Sequence, residues 1–322
     1  MSGITGKAIL LLAMILLGIL RLQADTQPHF TVAQDGSGDF KTVQEAINAV
    51  PDFRHETTVI FIKNGVYKEK LILPGSKKLV QFIGESADKT ILTYDDYATR
   101  KNVFSETIGT SGSSSFFIYG DDFSAENITF ENSSGPVGQA VAVWVAADRC
   151  YFKNCRFLGF QDTLYTYSAR QLYEDCYIEG TTDFIFGSAT AVFNRCTIYC
   201  KKGGQYITAA STPENTPFGY VFLHCNIRGE SGASYFLGRP WRPYARVVYL
   251  YCSLEDFIKP GGWDPWGKES NKSTAFYAEY KNSGPGFKPG SRVNWSHQLT
   301  DEEAKIYTIQ HILGDWAANV RK

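Results

Sequence analysis

Phe152-Lys153-Asn154-Cys155-Arg156-Phe157, Tyr173-Glu174-Asp175-Cys176-Tyr177-Ile178 and Phe193-Asn194-Arg195-Cys196-Thr197-Ile198 are three copies of one pattern, aromatic-x-x-Cys-x-apolar. Two more run from Phe222 to Ile227 and from Tyr249 to Leu254, and Ala125 to Phe130 fits the same frame with Ile128 in the Cys position. Ladder positions Ile128, Cys155, Cys176, Cys196, Cys225 and Cys252 are separated by 27, 21, 20, 29 and 27 residues, a repeat of about 20 with insertions. Within each unit Phe, Tyr, Ile, Val and Thr alternate with polar residues, the two-residue period of a strand, and helical spacing is missing. Short strands at this period with almost no helix between them predict an all-β fold, a parallel β-helix (solenoid) whose coils stack about 4.8 Å apart. A β-sandwich would need tight hairpin turns at regular places, and Asp35-Gly36 and Asn64-Gly65 both lie outside the repeat.

Working outward, a solenoid has open ends that must be covered. Thr42-Val43-Gln44-Glu45 is a capping box opening a stretch in which Val43, Ala46, Ile47 and Val50 share a face, ended by Pro51. Thr300-Asp301-Glu302-Glu303 opens a second helix with Ala304, Ile306, Ile309 and Ile312 available for packing, stopped by Gly314. Short capping helices near both termini are therefore expected.

Further out, Lys7 precedes an apolar run from Ala8 to Leu20 and then Leu22-Gln23-Ala24, the pattern of a secretory signal peptide over residues 1–24. The run is too short for a hydrocarbon core that needs about 20 apolar residues, so export and not anchoring is expected, and no membrane partner. Residues 25–322 then read as one β-helix domain, because no linker or charge run divides them. With 32 basic against 33 acidic residues and a net charge of −1, the chain has no global field for nucleic acid, so no nucleic-acid partner is expected either.

Seven cysteines in an exported chain invite a disulfide framework, but the count is odd and one Cys recurs per coil. Metal sites favour paired Cys-x2-Cys spacing, so no metal is expected and the cysteines read as small core fillers. Neighbours on adjacent rungs fall within the Cα range of about 4.4–6.8 Å that permits a bridge.

The ladder also serves as a ruler. Asp162 is seven residues after Cys155 and Asp183 seven after Cys176, which puts two carboxylates on equivalent places of adjacent coils. At about 5 Å they cannot both ionise freely, so one holds a proton while the other stays anionic, a division suited to acid/base plus nucleophilic chemistry. If about five residues around Ser133 to Gly138 form an insertion, Gln139 falls in register with Gln161, each one step before the Asp position. Such amides can bind the oxygen of a tetrahedral intermediate. Arg239, in Leu237-Gly238-Arg239-Pro240-Trp241, has the fork that holds a carboxylate bidentately. Stacked Asn, Gln and Asp also form corner ladders without chemistry, a reading that suits any one of these residues better than the whole set.

Gly65-Val66-Tyr67-Lys68-Glu69, Gln139-Ala140-Val141-Ala142, Gln161-Asp162-Thr163-Leu164-Tyr165, Asp183-Phe184-Ile185-Phe186-Gly187 and Leu237-Gly238-Arg239-Pro240-Trp241 together resemble the pectin methylesterase (pectinesterase) family, from about His29 to Trp295. The resemblance implies a right-handed, single-stranded parallel β-helix that demethylesterifies pectin, releasing methanol and leaving free galacturonate carboxylates. It implies Asp183 as nucleophile, Asp162 as proton donor and then base, Gln161 and Gln139 at the oxyanion, and Arg239 orienting Asp183, depressing its pKa and leaving the shared proton on Asp162. Trp241 and Ser115 would line the groove. No cofactor is implied; if any ladder bridge forms, Cys196–Cys225 is the choice, because plant relatives carry a bridge between the matching rungs; and a proteinaceous inhibitor is a partner in a plant-associated setting. A monomer secreted to the extracellular space, cell wall or periplasm is expected.

Read from the residues alone, Phe160, Tyr165, Phe186, Trp241, Trp263 and Trp266 lie beside these motifs or on the following coils, where flat faces can stack on sugar rings, with Phe186 the one assigned to core packing. Lys201-Lys202 and Arg242 are local cations beside a groove meant for an acidic polymer, although such charges are often just a solvated corner. Paired carboxylates also suit a retaining glycosidase, but that chemistry does not demand flanking Gln donors. A lyase needs calcium-ligating acids that do not cluster here, and a wall-binding solenoid has no reason to keep the set.

Overall fold

Each coil turns a corner on a single residue with left-handed backbone. Asn127, Asn154, Asp175, Arg195, His224 and Tyr251 all have φ between 49° and 59°, and each immediately precedes its ladder residue. One such residue swings the chain from a strand of one sheet into a strand of the next, so the sequence pattern is a corner with its flanking strands. The computed structural model describes residues 28–321, and the leader expected over residues 1–24 lies outside them. Strands repeat around the corners into three parallel sheets of 11, 7 and 8 strands, one strand per coil in each sheet, the parallel β-helix that the repeat called for, with the right-handed sense that the resemblance implied.

Register is what makes the coils interchangeable. Arg156, Tyr177, Thr197, Asn226 and Ser253 are Cα partners in succession, so Cys155, Cys176, Cys196, Cys225 and Cys252 lie above one another, with Ile128 on the preceding rung. The aromatic that begins each repeat does the same. Phe152, Tyr173, Phe193, Phe222 and Tyr249 form a fully buried column with ring centroids 4.9, 4.8, 4.6 and 4.3 Å apart. In-register parallel strands force like side chains to this spacing, and each buried ring contributes roughly 1.5–3 kcal/mol of apolar transfer.

Cys196–Cys225, the pair favoured if any ladder bridge forms, is not bridged, and all seven cysteines are free and buried. Each ladder thiol turns to carbonyls of its own and the preceding coil. Cys196 Sγ donates to Tyr173 O at 3.4 Å, and Cys225 Sγ to Phe193 O at 3.2 Å. They fill the core as small apolar groups with satisfied donors.

At the N-terminal end the helix Val43–Ala49 forms with its capping box complete and buries Val43, Ala46 and Ile47. The C-terminal helix expected from Thr300 to Gly314 is instead two pieces, Asp301–Ala304 and Ile309–Leu313, because Thr308 caps a new start by accepting from His311 N. Ile306 consequently points out and is exposed. These pieces also do not plug the coil. Ile312, Leu313 and Ala317 cover the outer face of the 11-stranded sheet at Leu172, Val192, Val221 and Val248. The last coils are instead tied by a fully buried ion pair, Arg292 Nε to Glu279 at 2.6 Å, with Arg292 also donating to Gly286 O and Pro260 O.

Candidate active site

The 7-stranded sheet carries the chemistry on its outer face. One column of Cα partners runs Ile72, Phe117, Trp144, Tyr165, Phe186, Ala209, Arg239. Ala209 is small where its neighbours are large, and it opens a cavity of about 330 Å³ lined by Gln139, Gln161, Asp162, Tyr165, Asp183, Phe186, Arg239, Trp241 and Trp266. Asp162 and Asp183 enter it from adjacent coils: Leu164 pairs with Ile185 and Tyr165 with Phe186, and Asp162 N donates to Thr182 O at 3.1 Å. Both aspartates have left-handed backbone, φ 64° and 53°, and the pairing to the next strand shifts register between Thr182 and Ile185. A non-glycine residue held there costs on the order of 1–3 kcal/mol, a strain met at sites that aim a side chain out of the sheet plane. Gln139 and Gln161 form a parallel bridge, with Ala140 N donating to Gln161 O at 3.1 Å, so the insertion inferred before Gln139 gives the observed register.

Arg239 breaks the symmetry of the acid pair. Its Nε donates to Asp183 Oδ1 at 3.0 Å and its Nη2 to Oδ2 at 2.7 Å. The guanidinium is clamped between Tyr206 and Trp266, 4.0 and 3.6 Å from their ring centroids. Burial holds the Asp162 carboxyl well above the usual carboxylate range, with the Asp183 charge adding to the rise and Arg239 opposing it. Asp183 is also raised by burial, against the two opposing effects of Arg239, its hydrogen bonds and its charge. The arginine does not pull Asp183 below its ordinary value, as the sequence reading expects, because desolvation outweighs it. The order of the pair is the expected one, with the stronger tendency to hold a proton on Asp162.

A carboxyl raised on folding contributes stability that is fully present below its unfolded value of 3.8 and is lost as pH rises through the folded value. Asp162→Asn should therefore raise Tm at about pH 7–8. The gain should shrink toward about pH 4, where the wild-type carboxyl is neutral in folded and unfolded chains alike. Thermal melts of both proteins across this range check it, and a variant less stable than wild type at pH 8 contradicts it.

Of the aromatics singled out from sequence, Tyr165, Trp241, Trp266 and Phe186 reach the cavity. Phe186 packs as assigned, buried in a small apolar cluster with Val141, Tyr165 and Ala209, and it also forms part of the cavity wall, stacking on Tyr165 at 4.1 Å. Trp263 is 1% exposed, packed between Tyr249 and Tyr277, and so belongs to the core. Phe160 lies under Lys201 Nζ at 3.8 Å and does not line the cavity. Ser115 is buried and its Oγ donates to Tyr94 O at 3.4 Å; Thr110 and Ser111 line the rim in its place. Their short turn Gly109–Gly112 sits in an inter-coil insertion with no periodic signal, whereas Ala209 was within reach of the ladder argument.

A solenoid bearing an unequal carboxylate pair, two amides and a clamped arginine in an open, aromatic-walled cleft is the architecture of a polysaccharide-modifying hydrolase. The pectinesterase family profile matches residues 29–315, and the chain belongs to that family. It is 46% identical over 282 residues to pectinesterase 31 of Arabidopsis thaliana, covering 85% of this chain and 88% of the relative. It is 40% identical over 308 residues to a putative pectinesterase/pectinesterase inhibitor 28 of the same plant, and there it spans only 41% of the relative's length. Among solved structures it is similar to a pectin methylesterase from carrot, with a TM-score of 0.87, 35% identity, and 94% and 98% of the two chains covered. A pectin methylesterase from Erwinia chrysanthemi matches with a TM-score of 0.80 and 32% identity, over 90% and 98%.

Proposed function

We propose that the cleft hydrolyses the methyl ester of galacturonate residues in methyl-esterified homogalacturonan. An Asp183 carboxylate oxygen attacks the ester carbonyl carbon, and the Gln161 and Gln139 amides donate to the oxyanion that forms. Collapse breaks the bond to methoxide, which leaves as methanol with the Asp162 proton. Water then attacks the acyl-enzyme and loses a proton to Asp162. The bond to Asp183 breaks, freeing a galacturonate carboxyl and regenerating both acids. Each charge change falls on a named side chain, so the cycle uses no cofactor or metal, and a chelator should leave the rate unchanged.

The observation that carries this reading is the asymmetry of the pair: Arg239 grips Asp183 with two hydrogen bonds, while Asp162 is the more strongly raised acid. The test is methanol release from highly methylated pectin with polymer length followed in parallel. Release without shortening is expected, and shortening would favour a glycosidase or lyase. Gln161→Ala should cost roughly 2.7–4 kcal/mol of transition-state stabilisation, about 10²–10³ in kcat, if its amide is a single strong oxyanion donor. A change in KM alone would make it a ground-state contact instead.

The same reading has the chain exported and acting as a monomer on cell-wall pectin, with a proteinaceous inhibitor as partner in a plant-associated setting. Among the described residues no helix is long and apolar enough to cross a membrane.

A further inference from the structure

Between Asp96 and Ser113 the chain leaves the coil on an excursion that brings Thr110 and Ser111 to the rim of the cavity. Such an excursion takes no register from the strands around it, so something else must set where it sits. Its two ends meet on one buried side chain. Asn132 is 3% exposed, and its Nδ2 donates to Asp96 O at 2.9 Å, to Ser113 O at 3.2 Å and to Val141 O at 3.0 Å. We infer that Asn132 is a positioning residue for Gln139, aiming its amide at the oxyanion, and that Lys70 supports it. The inference rests on the esterase reading above, in which Gln139 is an oxyanion donor.

Three hydrogen bonds close a ring around the backbone of Gln139. Asn132 holds Asp96; two residues on, Ala98 N donates to Gln139 O at 2.9 Å; two residues after Gln139, Val141 O returns to Asn132. Val141 N also donates to Ser113 Oγ at 3.1 Å, and that hydroxyl donates to Thr110 O at 2.6 Å, so the rim turn hangs from the same ring. Asn132 Oδ1 accepts from Ser134 N at 3.0 Å, which leaves both N–H groups of the amide for the three carbonyls. Asp in this place would set acceptors against acceptors, and an apolar residue would strand buried carbonyls. Lys70 repeats the tie from a more exposed position. Its Nζ donates to the Asp96 carboxylate and, at 2.7 Å, to Gly112 O, one bond to each end of the excursion. Arg100 holds the other Asp96 oxygen at 2.9 Å. An oxyanion donor acts only at close range, and a shift of about 1 Å can cost about 10²-fold in rate. Loosening this ring should therefore be felt in kcat, where Gln139 acts, and little in substrate binding.

The test is a double-mutant cycle on methanol release. Asn132→Ala should lower kcat by about 10–10²-fold with KM changed by less than about 2-fold. Added to Gln139→Ala it should cost under about 3-fold more, because the group it aims is gone. Lys70→Met should show the same pattern at about 3–10-fold, and Lys70→Arg, which keeps donors for both ends, should recover most of the rate. If Asn132→Ala does not fold, the Lys70 cycle decides alone. Losses that multiply in the double variants overturn the inference, as does a rise in KM alone or a Gln139→Ala rate near wild type. Hydrogen exchange gives a readout without activity. In Asn132→Ala and Lys70→Met the Ala98 amide, bound to Gln139 O, should exchange at least about 10-fold faster, while the Arg156 and Tyr177 amides of the coil ladder keep their protection. Unchanged Ala98 protection overturns the inference. Failure of wild type to release methanol would instead overturn the esterase reading, and exchange at Ala98 would still decide whether Asn132 and Lys70 hold Gln139 in place.

Discussion

Asp183→Asn is expected to reduce methanol release by at least about 10³-fold while the folded protein still binds galacturonan. The substitution keeps the shape of the side chain and leaves an oxygen to accept from Arg239, so the clamp of Tyr206 and Trp266 on the guanidinium should persist. An amide oxygen does not open an acyl transfer, and nothing else in the cavity replaces it. Asp162 faces the same space but is the acid whose carboxyl burial and the Asp183 charge raise well above the usual range. Asp162→Asn should also be severely impaired, by about 10²–10⁴, the usual contribution of a positioned acid/base. The two variants differ in a way a merely structural account would not produce. Asp162→Asn removes a carboxyl that resists ionisation and gains stability at neutral pH, whereas Asp183→Asn removes one half of an ion pair. Methanol assays on folded variants, with oligogalacturonate binding measured alongside, check both. Near wild-type release by Asp183→Asn would put the nucleophile elsewhere.

The parts of this arrangement that were legible in the sequence are those that a ladder transmits. In a parallel coil, a position inside one strand fixes the position of its equivalent in every other coil, so Cys155 and Cys176 were enough to place Asp162 beside Asp183, whereas placing Gln139 beside Gln161 also took an assumed insertion around Ser133 to Gly138. Side-chain direction at the edges of the ladder was not transmitted. Trp263 and Trp266 are three residues apart in one segment, and only the second faces the arginine, because Trp266 has left-handed backbone and Trp263 is drawn into the core by Tyr277. Inter-coil insertions obey no register at all, which is why Thr110 and Ser111 went unseen and Ser115 was preferred. The split of the C-terminal helix was missed for a related reason: the apolar spacing from Ala304 to Ile312 suits one continuous helix, but Thr308 offers a competing cap inside it. The resemblance to a family supplied the handedness and the division of roles, neither of which follows from spacing.

Arg239→Met should be the most informative single change after the nucleophile, because it removes both effects that oppose burial at Asp183. Methionine fills part of the space between Tyr206 and Trp266 but leaves a buried carboxyl without a partner, and breaking such a pair typically costs about 3–5 kcal/mol. The Asp183 carboxyl should then rise further, so that at neutral pH a larger share of the enzyme holds a protonated, unreactive nucleophile. Activity should fall by roughly 10²–10³, with the acid limb of the kcat/KM profile displaced to higher pH, and part of the rate should return as pH is raised. Stability should run the other way. A carboxyl whose folded value is raised loses its favourable contribution as pH climbs through that value, so the variant should be most destabilised relative to wild type in alkaline buffer. The two proteins should converge below about pH 4, where Asp183 is neutral in both. Arg239→Lys, which keeps the charge but has no fork to match the carboxylate and no plane to lie between the two rings, should fall between wild type and Arg239→Met on both measures. If the acid limb stays where it is and only KM rises, Arg239 serves the substrate and not the nucleophile, and the asymmetry of the acid pair must then come from burial alone.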